Sequence, residues 1–323
     1  MVNLVRDQTI DIAPKFLKRK TIIKKLRQYA DEQMERAGED TLEKIAHYLS
    51  LPETLLPAEK LIPMKLANVR LLRLYNIEMS RSLAHELESG MWQNQQRAAY
   101  LLLLTYNHML KYYVGVIAKT QAEFSPLGYR AMGQHLGQLC LLGHQPSFHQ
   151  FTALYLNLCE QGYEFSYEKY QSQWFMMRLA ENFCGYTPAP WPKAAFESEL
   201  YNGILEHWQD DTPTTLQALL KKACNRHTYQ SYLKNEDGEY DWGTFYSHLP
   251  IEILMVQRLR QWRGLSEVPV DHILMDAPFN TLPEPCIENV HHELAEKVLA
   301  KVHQDFPDFD TVIAEGMQRE SVA

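Results

Sequence analysis

Two stretches of this chain set a carboxylate and a histidine at a spacing that shares one helix face. Glu43 and His47 are four residues apart, and Glu288 stands three and four residues before His291 and His292. Side chains at i, i+3 or i+4 project together, which is how helical proteins hold a metal ion between carboxylate and imidazole. A carboxylate-bridged pair of metals would need two such motifs and two further inward carboxylates. Only the Glu288 motif approaches this, and it lies in an acidic terminal stretch, so surface charge pairing is expected and no metal or cofactor is assigned. His144 and His149 flank Pro146, yet no carboxylate or cysteine accompanies them in sequence. They are expected to satisfy backbone groups at a turn and not to move protons. Cys140, Cys159, Cys184, Cys224 and Cys286 are dispersed, with no two three residues apart. That excludes a zinc knuckle or a disulfide framework and fits buried thiols in a reducing compartment.

The familiar catalytic signatures are missing as well. There is no GxGxxG, GxxxxGK[ST], HExxH or GxSxG, which counts against dinucleotide enzymes, P-loop ATPases and α/β-hydrolases. No catalytic residue is assigned. A formal net charge of −8 disfavours a general nucleic-acid binder, because phosphate neutralisation needs a basic face. A 46% hydrophobic fraction with 22% charged residues is ordinary globular composition.

Apolar residues recur at helical spacing in almost every segment between prolines, and nothing alternates as a strand would. The pattern predicts helices over 14–37 and, with Asp40 and Glu43 as a capping pair, to about residue 50. Pro52, Pro57 and Pro63 mark a connector. Helices over 64–88 and 91–119 then form a hairpin about Gly90. Further helices are expected from Pro126 to near Gly143, over 146–161 and over 166–184. Pro188, Pro190 and Pro192 interrupt the pattern, since each ring fixes φ and removes a donor. Beyond them lie helices over 193–209, 213–234, 250–263 and 286–304, with 265–285 irregular and punctuated by prolines. The run 99–118 is about long enough to span a bilayer. It carries Asn107, His108 and Lys111 near its middle, which favours a buried core helix over a membrane span. The start lacks an apolar stretch after a basic one, so no signal peptide is expected, and the cytoplasm is the expected location. The expected fold is all-α, an irregular multi-helix bundle or short solenoid of antiparallel hairpins. Regions 1–190 and 191–323 are expected to share one continuous core.

Charge is unevenly spread. Residues 1–30 hold eight bases against two acids, whereas 266–323 hold twelve acids against three bases. Such asymmetry marks a candidate partner surface. The stripe Tyr163, Phe165, Tyr167, Tyr170 and Trp174 has few interleaved charges, so packing is expected over base stacking. Between Glu236 and Tyr246 acids alternate with aromatics, the composition of a binding hot spot.

The order of features in the C-terminal part is an aromatic stretch DWGTFYSHLP, a helix IEILMVQRLRQWRGL and a loop DHILMDAPFNTLPEP. With an acid near Trp242, the Pro250-x-Glu252 start and Gly264, this resembles helical immunity proteins of bacterial polymorphic toxin systems. The nearest types are the polymorphic nuclease immunity proteins and the immunity protein forty-nine family. The likeness covers roughly residues 240–285. It implies a protein that binds and neutralises a cognate toxin, a nuclease being one candidate, through an acidic helical surface. The implied contacts are Asp237, Glu239, Asp241, Trp242, Asp271 and Asp276. A helical scaffold or adaptor that binds a peptide or protein, and a helical metal-dependent enzyme, are the alternatives.

Overall fold

The computed structural model describes residues 18–118, 132–161, 170–232, 239, 245–286 and 290–320. The long amphipathic runs at the start form three helices, α1 (Arg19–Leu49), α2 (Pro57–Ser89) and α3 (Asn94–Ala118). Cross-contacts fix their direction. Arg19 donates to the Leu87 carbonyl at 2.6 Å and Asp40 pairs with Arg70 at 2.6 Å, so α1 runs antiparallel to α2. Arg97 pairs with Glu86, and Asn107 donates to both the backbone and side-chain oxygens of Asn68 at 2.9 Å, so α3 returns along α2. Gly90 (φ +71°) makes the turn between them, a left-handed position open to glycine.

Two expectations about this region are corrected. No break occurs at Gly38, and Asp40 does not cap a helix. The helix runs through both, and Asp40 reaches across to α2. A mid-helix glycine costs about 1 kcal/mol, which the buried faces of α1 (Ile22, Leu26, Ile45, Tyr48) and α2 outweigh. The proline connector is also shorter than expected. Pro57 is the first residue of α2, where its missing N–H is harmless, and Pro63 lies inside the helix.

A second group comprises α4 (Met132–Leu141), α5 (Gln145–Glu160), α6 (Gln171–Cys184), α7 (Glu199–His207), α8 (Thr214–Tyr232) and α9 (Ile251–Trp262). Every residue of α4 is buried, as are Ile251–Arg260 of α9. These are therefore the central helices, and they pack directly on one another. Gly137 permits the approach, since a Cβ there would lie 2.6 Å from Ile251 Cγ1. The three-proline stretch leaves α6 without continuing it, as expected.

The chain closes with α10 (Glu293–Asp305) and α11 (Phe309–Gly316), the latter unforeseen in the sequence. Helix α10 packs back on α1, α2 and α3, and α11 on α3 and α5. Asp305 accepts from Lys60 and from Lys301, each at 2.8 Å, and all three are nearly fully buried. Tyr113 of α3 donates to Asp308 at 2.5 Å. Buried apolar side chains from Ile22 to Ile313 form one contiguous cluster. Among the described residues there is no strand ladder, and no helix is long and apolar enough to cross a membrane. The apolar run of α3 buries Leu101, Leu103, Leu104 and Leu110 against its neighbours.

Candidate functional site: a pinned strap over helix α9

Helix α9 ends in a left-handed glycine cap. Gly264 (φ +73°) donates to the Gln261 carbonyl at 3.0 Å, and Leu265 donates to the Arg260 carbonyl at 2.9 Å. This pair of bonds is the Schellman arrangement, which satisfies the last carbonyls and turns the chain away. Pro269, Pro278, Pro283 and Pro285 then keep residues 265–286 from regular structure beyond one 3-10 turn at Ile273–Met275. A segment this long without a helix or strand is uncommon in a packed fold, and those that occur are usually functional or disordered.

This one is held in place, because side chains from five parts of the fold bond its backbone. Gln257 clasps Val268 from both sides, donating to its carbonyl at 2.6 Å and accepting from its N–H at 2.9 Å. Arg260 donates to Ser266 O at 2.9 Å, and Gln217 of α8 donates to Pro269 O at 2.7 Å. Arg19 of α1 donates to Ala277 O, and Trp92, between α2 and α3, donates to Thr281 O at 2.9 Å. Arg258 donates to Pro283 O and, at 2.8 Å, to Leu141 O, while Asn94 of α3 donates to Glu284 O at 3.0 Å. Finally Cys286 donates its N–H to Leu142 O at 3.0 Å.

His272 shows how tightly the local chemistry is set. Its Nδ1 accepts from Leu274 N at 3.0 Å, so its proton resides on Nε2, which faces Asn225 Oδ1 at 3.1 Å. Burial, with Lys221 and His227 nearby, lowers its pKa below the ordinary imidazole value and keeps this neutral tautomer in place.

What the strap turns outward is uniform in sign. Between Gly264 and Cys286 there are four acids, Glu267, Asp271, Asp276 and Glu284, and no lysine or arginine. All four are exposed. None makes a salt bridge among the described residues, although Arg258 faces the charges of Glu267 and Glu284, and His272 those of Asp271 and Asp276. Ile273, between two of them, is 56% exposed. Under the strap Val268, Leu274, Met275 and Phe279 are buried, and Trp92 packs on Phe279 with ring centroids 5.4 Å apart. The strap and α9 enclose a groove of about 420 Å³ lined by Leu254, Gln257, Glu267, Val270, Asp271 and Phe279 among others. No family model, curated protein or solved structure matches this chain.

Of the residues singled out from the sequence, Asp271 and Asp276 stand together on this strap. Glu239 does not join them. It is 2% exposed and turns inward, accepting from Ser172 N at the start of α6 and from Arg226 of α8, each at 2.5 Å. Burying Arg226 required an anion, and Glu239 is that anion, so it is not available to a partner. Asp237, Asp241 and Trp242 lie outside the described residues. Phe245 and Tyr246 are buried, Tyr246 meeting the Tyr75 hydroxyl at 3.2 Å, so this end of the acidic–aromatic segment is core and not an exposed hot spot. Tyr170 and Trp174 are likewise buried, whereas Tyr163, Phe165 and Tyr167 lie outside the described residues. Sequence reasoning missed Glu267, Glu284 and Ile273. The signal that could have found them is the absence of any base from 264 to 286.

The metal-spaced residues gather no ligand set. Glu43 and His47 are both exposed on α1, and Glu288 lies outside the described residues. His291 pairs with Glu296 at 3.0 Å in the open. Among the described residues, no three His, Cys, Asp or Glu side chains come together as a metal would require. All five cysteines, Cys140, Cys159, Cys184, Cys224 and Cys286, have thiols pushed up by burial, which disfavours thiolate chemistry.

A buried polar chain also crosses the core. Thr105 meets His135 Nε2 at 3.0 Å, and the Tyr155 hydroxyl lies 2.6 Å from Nδ1 of both His135 and His108. One hydroxyl proton can serve only one imidazole, so the other imidazole donates to it. The two rings stack with centroids 4.7 Å apart. Burial lowers His135 to about 3 and His108 well below its ordinary value. Neutral, closed off and mutually bonded, these groups join α3, α4 and α5.

Proposed function

We propose that this protein is a binding module that captures and neutralises a basic protein partner on the strap 264–286, as an immunity protein does with its cognate toxin in the cytoplasm. One observation carries the reading: four exposed carboxylates and an exposed isoleucine ride on a backbone fixed by donors from across the fold. Ordering a loop upon association costs free energy, so a surface fixed beforehand binds more tightly for the same contacts. Uniform negative charge speeds encounter with a basic groove and makes the rate salt-dependent. A nuclease active-site cleft, built to hold phosphate, has that basic character.

The experiment is to mix the purified chain with the toxin-like product of the neighbouring gene and follow gel filtration and toxin activity. A one-to-one complex with loss of toxin activity is expected, weakened at least tenfold by Asp271→Lys with Asp276→Lys. No complex, or a complex indifferent to both reversals and to salt, defeats the proposal.

A further inference from the structure

Helix α2 carries an apolar ridge open to water. Glu59, Ile62, Leu66, Val69 and Arg73 follow one another at spacings of three, four, three and four residues, the seam spacing of a two-stranded coiled coil. Ile62, Leu66 and Val69 are 66%, 42% and 50% exposed. The core side of the helix is the opposite one, where Met64, Ala67 and Leu71 are fully buried. Single exposed aliphatics are ordinary, whereas a row of them along one face marks an interaction surface. The row has definite ends. Pro57 begins the helix, and one heptad beyond Arg73 the same face meets Ser80, which is fully buried. Between these limits about 30 Å of helix is open.

The charges at the two ends of the ridge select what fits it. Glu59 and Arg73 each stand seven residues from Leu66, on opposite sides. A second copy of α2 laid parallel would set Glu59 against Glu59 and Arg73 against Arg73. Laid antiparallel about a two-fold axis at Leu66, it sets aliphatic residues on aliphatic ones and each Glu59 against the other copy's Arg73. A two-fold interface requires this kind of self-complementarity. Both end charges are open to the role. Glu59 accepts from Leu56 N through Oε2 at 2.8 Å, which leaves Oε1. Arg70 is already held by Asp40 at 2.6 Å, whereas Arg73 makes no salt bridge among the described residues. We propose that this chain pairs with a second copy of itself through α2, antiparallel about an axis at Leu66. The inference is independent of the function proposed above. The ridge lies about 35 Å along α2 from Gly90, where the strap passes close enough that a Cβ would lie 3.7 Å from Ala277. Each copy therefore keeps its acidic strap open, and the pair presents two.

A seam this short falls below the roughly 800 Å² per partner of a standard interface, so the pair is a reversible one, seen at micromolar concentrations and above. Sedimentation velocity on the full chain from about 1 to about 300 μM covers that range. The mass should rise with concentration from 37.7 kDa toward twice that value. Leu66→Glu sets two carboxylates together at the axis and should keep the chain monomeric throughout. Its melting curve in dilute solution should match the parent, because position 66 faces water in the single copy. Glu59→Lys and Arg73→Glu should each weaken association at least threefold, since the axis doubles every lost pair, and the two together should restore it. A parent chain that stays monomeric at the highest concentration overturns the proposal. A dimer indifferent to Leu66→Glu also overturns it, by placing the contact on another face. A double reversal that associates no better than either single one excludes the antiparallel register and overturns it as well.

Discussion

Acidification should loosen this fold well before its carboxylates titrate, and the size of the effect follows from three buried imidazoles. His135 and His248 are held down to about 3, and His108 also lies well below its ordinary value, chiefly because burial disfavours the charged ring. The groups around them add to this. His108 faces His135 and Lys111, His135 faces His144, and His248 faces His227 and Lys25. In the unfolded chain each histidine titrates near its ordinary value of about 6.5. Because the folded values are depressed, the unfolded state binds more protons below that value, and stability falls as pH falls toward the folded values. At pH 5.5 an unfolded histidine is about nine-tenths protonated and the buried one is not, which removes about 1.4 kcal/mol per site. Three sites remove about 4 kcal/mol between pH 7.5 and 5.5, a large part of the roughly 5–15 kcal/mol that holds a typical protein folded. Urea unfolding followed by far-UV circular dichroism at the two pH values reads this directly. His135→Gln should shrink the pH-dependent loss by about 1.4 kcal/mol, whatever it does to stability at pH 7.5. A loss below about 1 kcal/mol, or a His135→Gln variant with the parent's full pH dependence, would refute the assignment of these rings as buried and neutral.

Glu239→Gln should destabilise the fold by about 3–5 kcal/mol, because it leaves Arg226 buried without its anion; a thermal melt within 1 °C of the parent would place Glu239 on the surface instead. Gly137→Ala drives a methyl to 2.6 Å from Ile251 Cγ1 and should cost about 1–3 kcal/mol in a urea titration. Pairing it with Ile251→Ala, which removes Cγ1, should cost less than the sum of the two single losses. Gln257→Leu frees both bonds to Val268, so amide hydrogen exchange at Val268 should speed by at least tenfold while α9 exchanges as before.

The all-α architecture was legible because apolar periodicity persists through nearly every segment, and the caps at Gly90 and Gly264 fall where the pattern predicts. Local signals misled where distant contacts outweighed them. Asp40 and Glu43 look like a helix start, yet Asp40 serves Arg70 across the hairpin. Pro63 looks like a break, yet the helix it sits in buries Met64, Ala67 and Leu71 against neighbours. Helix α11 is only eight residues long, too short for periodicity to declare itself. For the site, sequence located the irregular segment with Asp271 and Asp276, because prolines and unopposed acids are visible locally. It placed Glu239 outside because an acid among aromatics looks the same whether it meets water or Arg226. Nor could it foresee the pins, since Gln217, Trp92 and Arg19 reach the strap from remote positions.

Since the strap's route is dictated by amide and carbonyl groups that every residue type except proline supplies in full, the identities of its outward side chains are decoupled from its shape. Glu267, Asp271, Ile273, Asp276 and Glu284 can be exchanged for other polar or apolar residues while Gln257, Arg258 and Arg260 still hold the same course. Under the proposed function, specificity could therefore drift at these positions without a toll on folding, leaving one scaffold able to follow a partner whose own surface changes.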